Sequence, residues 1–368
     1  MKKIGITSLF ASAGIGTYLL KNIGFDVTLS NEFIAKRAYI HDFLYPNSKM
    51  IVGDISNKNI FDSLVLRHKQ LNNQILIATP PCQGMSLAGR RKIDDPRNLL
   101  ITYVVDFIKQ TKPKLIIIEN VIQMYTTKIM INNKLVNIQE YLKNELSSLY
   151  QHIDFYKLNS KDFDTAQDRK RAVIIISNLD IQIPHPTKIK TVDEVIGHLP
   201  SLESGQRSDI KYHNASVHND RHIEWMKHTP SGKSAHFNEK YFPIKKNGER
   251  IKGYSTTYKR ISWDKPAPTI TMANGSISSQ NNVHPGRYKD GFYSDARVLT
   301  IKEILLLTGL PDDFVLPDDV SDSNIRHIIG ECVPPKIFYG ILKENKDKFI
   351  SDNHLVINKF LLLAKSKS

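Results

Sequence analysis

The sequence predicts an α/β protein built on a doubly wound, mostly parallel, seven-stranded Rossmann-like sheet with an antiparallel last strand, beside a smaller irregular domain. Three observations predict it. Seven apolar, β-branched runs recur through the first half, separated by helix-like stretches: "KIGITSLF", "FDVTLSN", "KMIVGD", "QILIATPP", "KLIIIENV", "DFYKLNS" and "RAVIIISN". Runs that are apolar at both parities are strands covered on both faces, and their alternation with helices argues for parallel pairing. The last two runs are joined by only about ten residues, too few for a crossover helix, so the last strand is expected to be antiparallel. After Asn178 the periodicity fades, and Pro, Gly, His, Lys and Ser dominate from about 181 to 262.

Three segments follow. Residues 1–180 read as the sheet domain, 181–262 as a smaller irregular domain, and 263–368 as a return of ordered structure. In the last, "TIKEILLLTGLPDDF" is an amphipathic helix ended by Gly-Leu-Pro, a further helix begins near the Pro-Pro of "RHIIGECVPPKIFYGILKENKDKF", and "NHLVINKFLLLAKSKS" reads as one more.

Composition narrows the class. The hydrophobic share of 40% supplies a core, and no apolar run reaches the length of a membrane span. The start "MKKIGITSLFASAGIG" enters a strand at once instead of a secretory leader, so a cytoplasmic location without membrane contact is expected. Cys82 and Cys332 are the only cysteines, with no Cys-x-x-Cys spacing, so neither a disulfide framework nor a zinc site is expected. Seven of the thirteen histidines fall between His185 and His236 but lack metal-ligand pairing. Fifty-one Lys and Arg against 37 Asp and Glu give +14, a balance suited to a polyanion, though a solvated basic surface looks the same.

In such a sheet, ligands sit beyond the carboxyl ends of the strands. After the first strand, Gly14 and Gly16 in "FASAGIGT" permit a tight turn, which by itself needs no ligand. Glu32 stands after the second strand, suited to gripping ribose hydroxyls, and Asp54 and Ile55 after the third, suited to an adenine amino group and face. Each acid alone reads equally well as a cap, but three such ends along one edge favour an adenosine-containing cofactor. The fourth end fixes Cys82 behind Pro80 and Pro81, where two locked φ angles hold a nucleophile in place; an inert buried thiol is the blander reading. Glu119 at the fifth end makes a nucleophile and general acid pair with it. Beyond the sixth strand, Arg169 and Arg171 lie two apart in "QDRKR", fit to clamp a phosphate and a carbonyl oxygen, or to form a solvated turn.

In order, "TPPCQGMS", "IENV", "QDRKR", "ISWDKPAPTIT" and "IGECVPP" resemble the ordered motifs of the cytosine-5 DNA methyltransferases of bacterial and phage restriction-modification systems, over nearly the whole chain. The resemblance implies a methyltransferase-type sheet, S-adenosyl-L-methionine as cofactor, double-stranded DNA as partner, and the three segments as a catalytic and cofactor-binding domain (1–180), a target-recognition domain (181–262) and a C-terminal segment that completes the catalytic domain (263–368). It implies Cys82 as the thiolate that attacks carbon 6 of a flipped-out cytosine and Glu119 as the group that protonates the ring nitrogen. Arg171 would hold the cytosine carbonyl, Arg169 would orient the site or grip a phosphate, Asn120 would brace the Pro-Pro-Cys segment and Gln167 the arginine segment. The cofactor set carries over as Phe10, Gly14, Ile15, Gly16, Glu32, Asp54, Ile55 and Pro80, with the "GECVPP" turn completing the pocket. DNA contacts fall to Gln83, Ser86, Arg90 and Arg91 in a loop closing over the base. A monomer, with a cognate restriction endonuclease as a genetic partner, is expected.

The sequence departs from the family pattern in three places. "FASAGIGT" has one extra residue after Phe10 and Thr17 for the last glycine, "GECVPP" has Glu331 for the usual asparagine, and "QDRKR" has Lys170 for the common acid. Four alternatives frame the reading. A nicotinamide dehydrogenase leaves "PPCQ" and "QDRKR" unexplained, and an amino-methylating DNA enzyme normally offers an aromatic after Pro-Pro. A tRNA cytosine-5 methyltransferase keeps Cys82 and Glu119 and stays open, as does a catalytically inactive DNA-binding module.

Overall fold

A computed structural model of the chain describes residues 3–81 and 95–350. The five leading apolar runs form β1 (Ile4–Leu9), β2 (Phe25–Glu32), β3 (Lys49–Val52), β4 (Ile75–Ala78) and β5 (Leu115–Asn120), and the intervening stretches form α1 (Ala35–Leu44), α2 (Lys58–Leu71) and α3 (Leu100–Thr111). A 3₁₀ helix (Ile15–Ile23) follows β1 in place of the α-helix usual there. Next come a hairpin of β6 (Lys128–Ile131) and β7 (Lys134–Asn137), then α4 (Ile138–Leu146), β8 (His152–Asn159), the two-residue β9 (Gln167–Asp168) and β10 (Lys170–Ser177). The hairpin was not expected; its turn uses Asn132 and Asn133, both at positive φ, as a two-residue hairpin loop requires.

The seven runs read from the sequence make one sheet in the order β3-β2-β1-β4-β5-β10-β8. β1 to β5 are mutually parallel, so their carboxyl ends share one edge, and β10 runs antiparallel to β5 as expected for the last strand. Alternation along the strands decides the faces. Leu76, Ala78, Ile116, Ile118, Ala172, Ile174 and Ile176 join the apolar cluster with α2, α3 and α4, while Ile75, Ile77, Leu115, Ile117, Val173 and Ile175 are as deeply buried at the opposite parity. Each such Ile or Leu contributes about 1.5–3 kcal/mol by leaving water. One irregularity in the β1–β2 register skips Thr28 and so brings Leu29 to the α2 side.

The chain then forms α5 (Val192–Ile196), α6 (Asp220–Lys227), β11 (Ala267–Pro268), β12 (Tyr288–Lys289), β13 (Phe292–Tyr293), α7 (Ile301–Leu307), α8 (Asp322–Glu331) and α9 (Pro335–Glu344). The expected helices at "TIKEILLL" and after the Pro-Pro are α7, which has a capping box between Thr300 and Glu303, and α9. The expected tail helix lies outside the described residues. No helix among the described residues is long and apolar enough to cross a membrane.

Packing divides the chain into two compact units: Met1–Leu158 with Lys170–His185 and Ile337–Ser368, and Asn159–Arg169 with Pro186–Lys336. The first contains the sheet. The second has little regular structure, and buried arginines take the place of a ladder. Arg260, fully buried, donates to the carbonyls of Met226, His284, Tyr293 and Asp295. Arg297, also fully buried, forks onto Glu303 at 2.9 Å twice, reaches Asp295 Oδ1 at 2.8 Å, and donates to the carbonyls of Leu202 and Val298. Loops without strand partners must satisfy their carbonyls somewhere, and these guanidinium groups do it.

Candidate active site

The first unit assembles its site from strand ends. Phe10 and Ser12 both adopt positive φ, and Gly14 follows at +77°, so the extra residue in the loop is absorbed by left-handed turns at side-chain-bearing positions. Gly14 is irreplaceable on two counts. Its φ disfavours any side chain, and a Cβ there would stand 2.5 Å from the Tyr45 ring and 2.8 Å from His41. The Tyr45 hydroxyl donates to the Gly14 carbonyl at 2.7 Å and pairs with Thr17 Oγ1 at 2.8 Å, so the threonine that replaces the family's glycine has a definite use. His41 stacks on Tyr45, with ring centres 4.5 Å apart, and burial lowers its pKa to about 4.

Glu32, 5% exposed, accepts the Ser12 N–H at one carboxylate oxygen and the Ile34 N–H at the other, each at 2.8 Å. It thereby ties the loop after β1 to the start of α1, and each oxygen keeps lone-pair capacity for a hydroxyl. Asp54 at the end of β3 is exposed and turns its Oδ1 back to the Ser56 N–H. Ile55 is buried in the apolar cluster beside α2, Ile15 is buried, and Gly16 is half-buried in the turn. Asn31, which the sequence reading passed over, takes the Ala11 N–H on its carbonyl and donates its amide to the carbonyls of Ile51 and Gly53. Its position directly before Glu32 in "LSNEF" was the available signal.

The sheet order reverses between β1 and β4, which is where a doubly wound sheet opens its crevice. Thr79 spans that point, donating its N–H to Leu9 O and its hydroxyl to Phe10 O at 2.9 Å. Next to it, Asn120 Nδ2 donates to the Pro80 carbonyl at 3.0 Å while Asn120 Oδ1 accepts the Val121 N–H, fixing the amide orientation. The end of β5 thus holds the end of the β4 segment two residues before Cys82. Cys82, Gln83, Ser86, Arg90 and Arg91 lie outside the described residues.

Register explains the next contact. Val173 of β10 stands opposite Glu119 in the antiparallel pair, so Arg171, two residues earlier, lies diagonally from Glu119 on the same face. Their side chains meet at 3.0 Å, Arg171 Nε to Glu119 Oε1, with both groups largely buried, and Arg171 Nη1 donates to the Lys170 carbonyl. A buried carboxylate beside a fixed guanidinium can exchange a proton with a bound base while the pair stays oriented.

In the second unit, Arg169 is buried and donates to the carbonyls of Ile270 (2.8 Å), Gly330 (3.0 Å) and Glu331 (3.2 Å). It serves the C-terminal end of α8, as a cation there should. Gln167 is buried as well, donating to Thr308 Oγ1 and accepting the Ile270 N–H. The turn "IGECVPP" needs its glycine because a Cβ on Gly330 would stand 2.3 Å from Thr271 O. His213 and His218 are bound into the fold, His213 between Thr300 Oγ1 and the Pro200 carbonyl, and His218 accepting the Val298 N–H.

Known proteins resemble this chain in sequence and in fold. Residues 4–347 match the family model of C-5 cytosine-specific DNA methylases. The chain is 48% identical over 353 residues to the type II methyltransferase M1.HgaI of Avibacterium volantium, across 93% of this chain and 98% of that protein. It is 29% identical over 345 residues to the type II methyltransferase M1.HphI of Haemophilus parahaemolyticus, across 90% and 84%. The fold matches that of a prophage-encoded candidate DNA modification methyltransferase (E. coli), with a TM-score of 0.70 at 20% identity over 94% of this chain and 99% of that one. A DNMT2 mutant of Spodoptera frugiperda matches with a TM-score of 0.62 at 14% identity, over 93% and 99%.

Proposed function

Since the chain belongs to the C-5 cytosine-specific DNA methylase family, we propose that it methylates carbon 5 of one cytosine within a short duplex sequence, as a type II modification enzyme using S-adenosyl-L-methionine. The observation that carries the reading is the joint at the ends of β4 and β5: Asn120 on the Pro80 carbonyl, and Glu119 against Arg171 at 3.0 Å. An acid and a guanidinium are held beside the root of the Pro-Pro-Cys segment.

The chemistry follows from the ring. Carbon 5 of cytosine is a weak nucleophile until a thiolate adds to carbon 6. Cys82 provides that thiolate, forming a C–S bond at carbon 6 as Glu119 delivers a proton to ring nitrogen 3; the carbon 5–carbon 6 pair shifts toward carbon 4, leaving an enamine that is nucleophilic at carbon 5. S-adenosyl-L-methionine supplies an electrophilic methyl group. After transfer, loss of the carbon 5 proton and cleavage of the C–S bond release the product and free Cys82. Arg171 holds the cytosine carbonyl and keeps Glu119 oriented, while Arg169 and Gln167 act as positioning residues. The target must leave the duplex stack, at a cost of a few kcal/mol; Gln83, Ser86, Arg90 and Arg91 are assigned to the opened strand.

The residues present suit the methyl donor. Glu32 offers two carboxylate oxygens with spare lone pairs, Asp54 stands exposed at the neighbouring strand end, and the Phe10–Gly16 loop is fixed by Asn31 and Tyr45. Pro80 closes the same edge. Segment 181–262 is assigned to target recognition, 263–368 to completing the catalytic domain, and the enzyme works as a cytoplasmic monomer with a cognate endonuclease as genetic partner. The test is to incubate unmethylated mixed-sequence DNA with the protein and S-adenosyl-L-methionine and to map 5-methylcytosine at base resolution, with Cys82→Ala alongside. Methylation in one short context, lost in the variant, is expected; methylation that persists in Cys82→Ala refutes the covalent route.

A further inference from the structure

The β6–β7 hairpin takes no part in the proposed reaction, yet it stands at the edge of the sheet where that reaction is placed. It follows β5 and the 3₁₀ turn Ile122–Thr126, and β6 lies beside the 3₁₀ turn Pro96–Leu99 that leads into α3. Glu119, Asn120 and the Pro80 carbonyl share this carboxyl edge. The base of the hairpin is fixed: the Ile138 N–H donates to Thr127 O at 3.1 Å, Thr127 Oγ1 to Gln123 O at 2.9 Å, and Asn137 Nδ2 to Tyr125 O at 3.0 Å. The Tyr125 hydroxyl is shared between the carbonyls of Tyr156 (2.6 Å) and Val173 (3.2 Å), so the hairpin is tied to β10 two residues from Arg171.

The two faces of the hairpin differ. Ile129 is fully buried in the core cluster, and Ile131 and Val136 pack against it. On the outer face Met130 and Leu135 stand opposite each other across the strands, 47% and 48% exposed, with exposed Lys128 two residues before Met130 on the same side. Asn132, Asn133 and Lys134 are exposed at the tip. The side chains of Lys128 and Lys134 have no partner among the described residues. Residues 121–139 contain these two lysines and no Asp or Glu, and Asp95 on the neighbouring turn is taken up by Arg97. An exposed apolar pair set among unpaired cations marks an interaction surface, and a sugar-phosphate strand alternates anionic and apolar parts in the complementary way.

We propose that the outer face and tip of the β6–β7 hairpin grip the sugar-phosphate backbone of the DNA beside the target cytosine. Lys128 and Lys134 each neutralise a phosphate, and Met130 and Leu135 pack on the deoxyribose between them. The proposal rests on the chain acting on duplex DNA. The register puts Lys128 opposite Asn137 and Lys134 opposite Ile131, so the lysines are three rungs apart. That is about 10 Å along the ribbon, which matches three steps of about 3.4 Å along one DNA strand. Contacts of this kind position the duplex and carry no sequence information.

The test measures duplex affinity of the full chain against salt for the wild type, for Lys128→Gln with Lys134→Gln, and for Lys69→Gln with Lys112→Gln. The last pair removes the same charge at the far ends of α2 and α3. The hairpin variant should show a log-log slope shallower by about 1.8, two phosphates at about 0.9 each, while preferring the target over a duplex with one base pair changed by the same factor as wild type. The control variant should keep the wild-type slope. An unchanged slope in the hairpin variant, on a chain that binds DNA and transfers methyl groups, overturns the hairpin's role alone. An equal change in both variants is a bulk-charge effect and overturns it too, as does a loss of base preference. Met130→Thr with Leu135→Thr should weaken binding at every salt concentration without altering the slope; unchanged binding overturns the proposal, and so does a dimer seen by sedimentation that this variant dissolves, because the face then belongs to a second copy. A wild-type chain that binds no duplex overturns the proposal and the DNA reading together. A shallower slope in the hairpin variant of a chain that transfers no methyl group supports the hairpin and counts against the catalytic reading alone.

Discussion

Replacing Arg297 by methionine tests whether buried charge holds the second unit together. The side chain makes five hydrogen bonds, to Leu202 O, Val298 O, both Glu303 oxygens and Asp295 Oδ1. Methionine fills most of the volume but leaves two carboxylates inside the protein without their cation. Removing one partner of a buried pair costs about 3–5 kcal/mol. For a unit of this size each kcal/mol lowers the midpoint by about 2–4 °C, so the second unit should melt roughly 6–20 °C earlier. The pH dependence carries the mechanism. In the wild-type protein, burial pushes Asp295 and Glu303 up, but Arg297 and the neighbouring His284 outweigh it and hold both below their usual range. Their contribution is therefore present above the unfolded carboxylate pKa and lost as pH falls through the folded values. In Arg297→Met the guanidinium's share of that offset is lost while His284 and the hydrogen bonds from Ser201, Ser294 and Thr300 remain, so the acids take up protons more readily and the stability gap to wild type should narrow between pH 7 and pH 4. Urea unfolding across that range measures both quantities. A loss below about 1 kcal/mol at pH 7, or a gap that ignores pH, refutes the argument.

Other outcomes follow from the first unit and the site. His41 and His68 are buried with pKa values lowered to about 4, His68 taking the Thr7 hydroxyl on Nδ1 while Asn73 donates to the same hydroxyl. The unfolded chain binds protons near 6.5 and the folded chain does not, so stability should be flat above pH 6.5 and fall toward pH 4, by up to about 3 kcal/mol per histidine; a profile level from 6.5 to 4 rejects this. Gly14→Ala should cost at least about 1–2 kcal/mol in thermal unfolding and weaken binding of S-adenosyl-L-methionine, measured by calorimetry, and unchanged affinity would contradict the placement of the cofactor loop. Asn120→Ala should lower kcat at least about tenfold with little change in DNA affinity, because it loosens the Pro80 carbonyl and not the DNA surface; equal loss of both would point to misfolding. DNA affinity should fall with salt with a log-log slope of about −0.9 per neutralised phosphate, and a salt-insensitive complex would argue against a duplex substrate.

The sheet was legible because its strands are buried on both faces and so read as continuous apolar runs with acids at their ends. All seven reappear in the structure, where Glu32 accepts the Ser12 and Ile34 N–H groups and Asn120 donates to the Pro80 carbonyl. The Glu119–Arg171 pair was not legible, since it depends on the β5–β10 register, which no local pattern encodes. Gly14 was read as a turn; the crowding by Tyr45 and His41 that also demands glycine comes from residues about thirty positions away. The second unit was the least legible part. Its cohesion comes from Arg260, Arg297 and Arg326 reaching the backbone of distant loops, and such arginines look in sequence like any surface cation.

The second unit is built from two separate stretches, Asn159–Arg169 and Pro186–Lys336, so transplanting it between relatives needs four crossovers, one of them between Arg169 and Lys170. A graft of the longer stretch alone sets a resident Arg169 against foreign backbone at 270 and 330. An exchange that keeps Arg169 on its own carbonyls therefore has to carry the short stretch along with the long one.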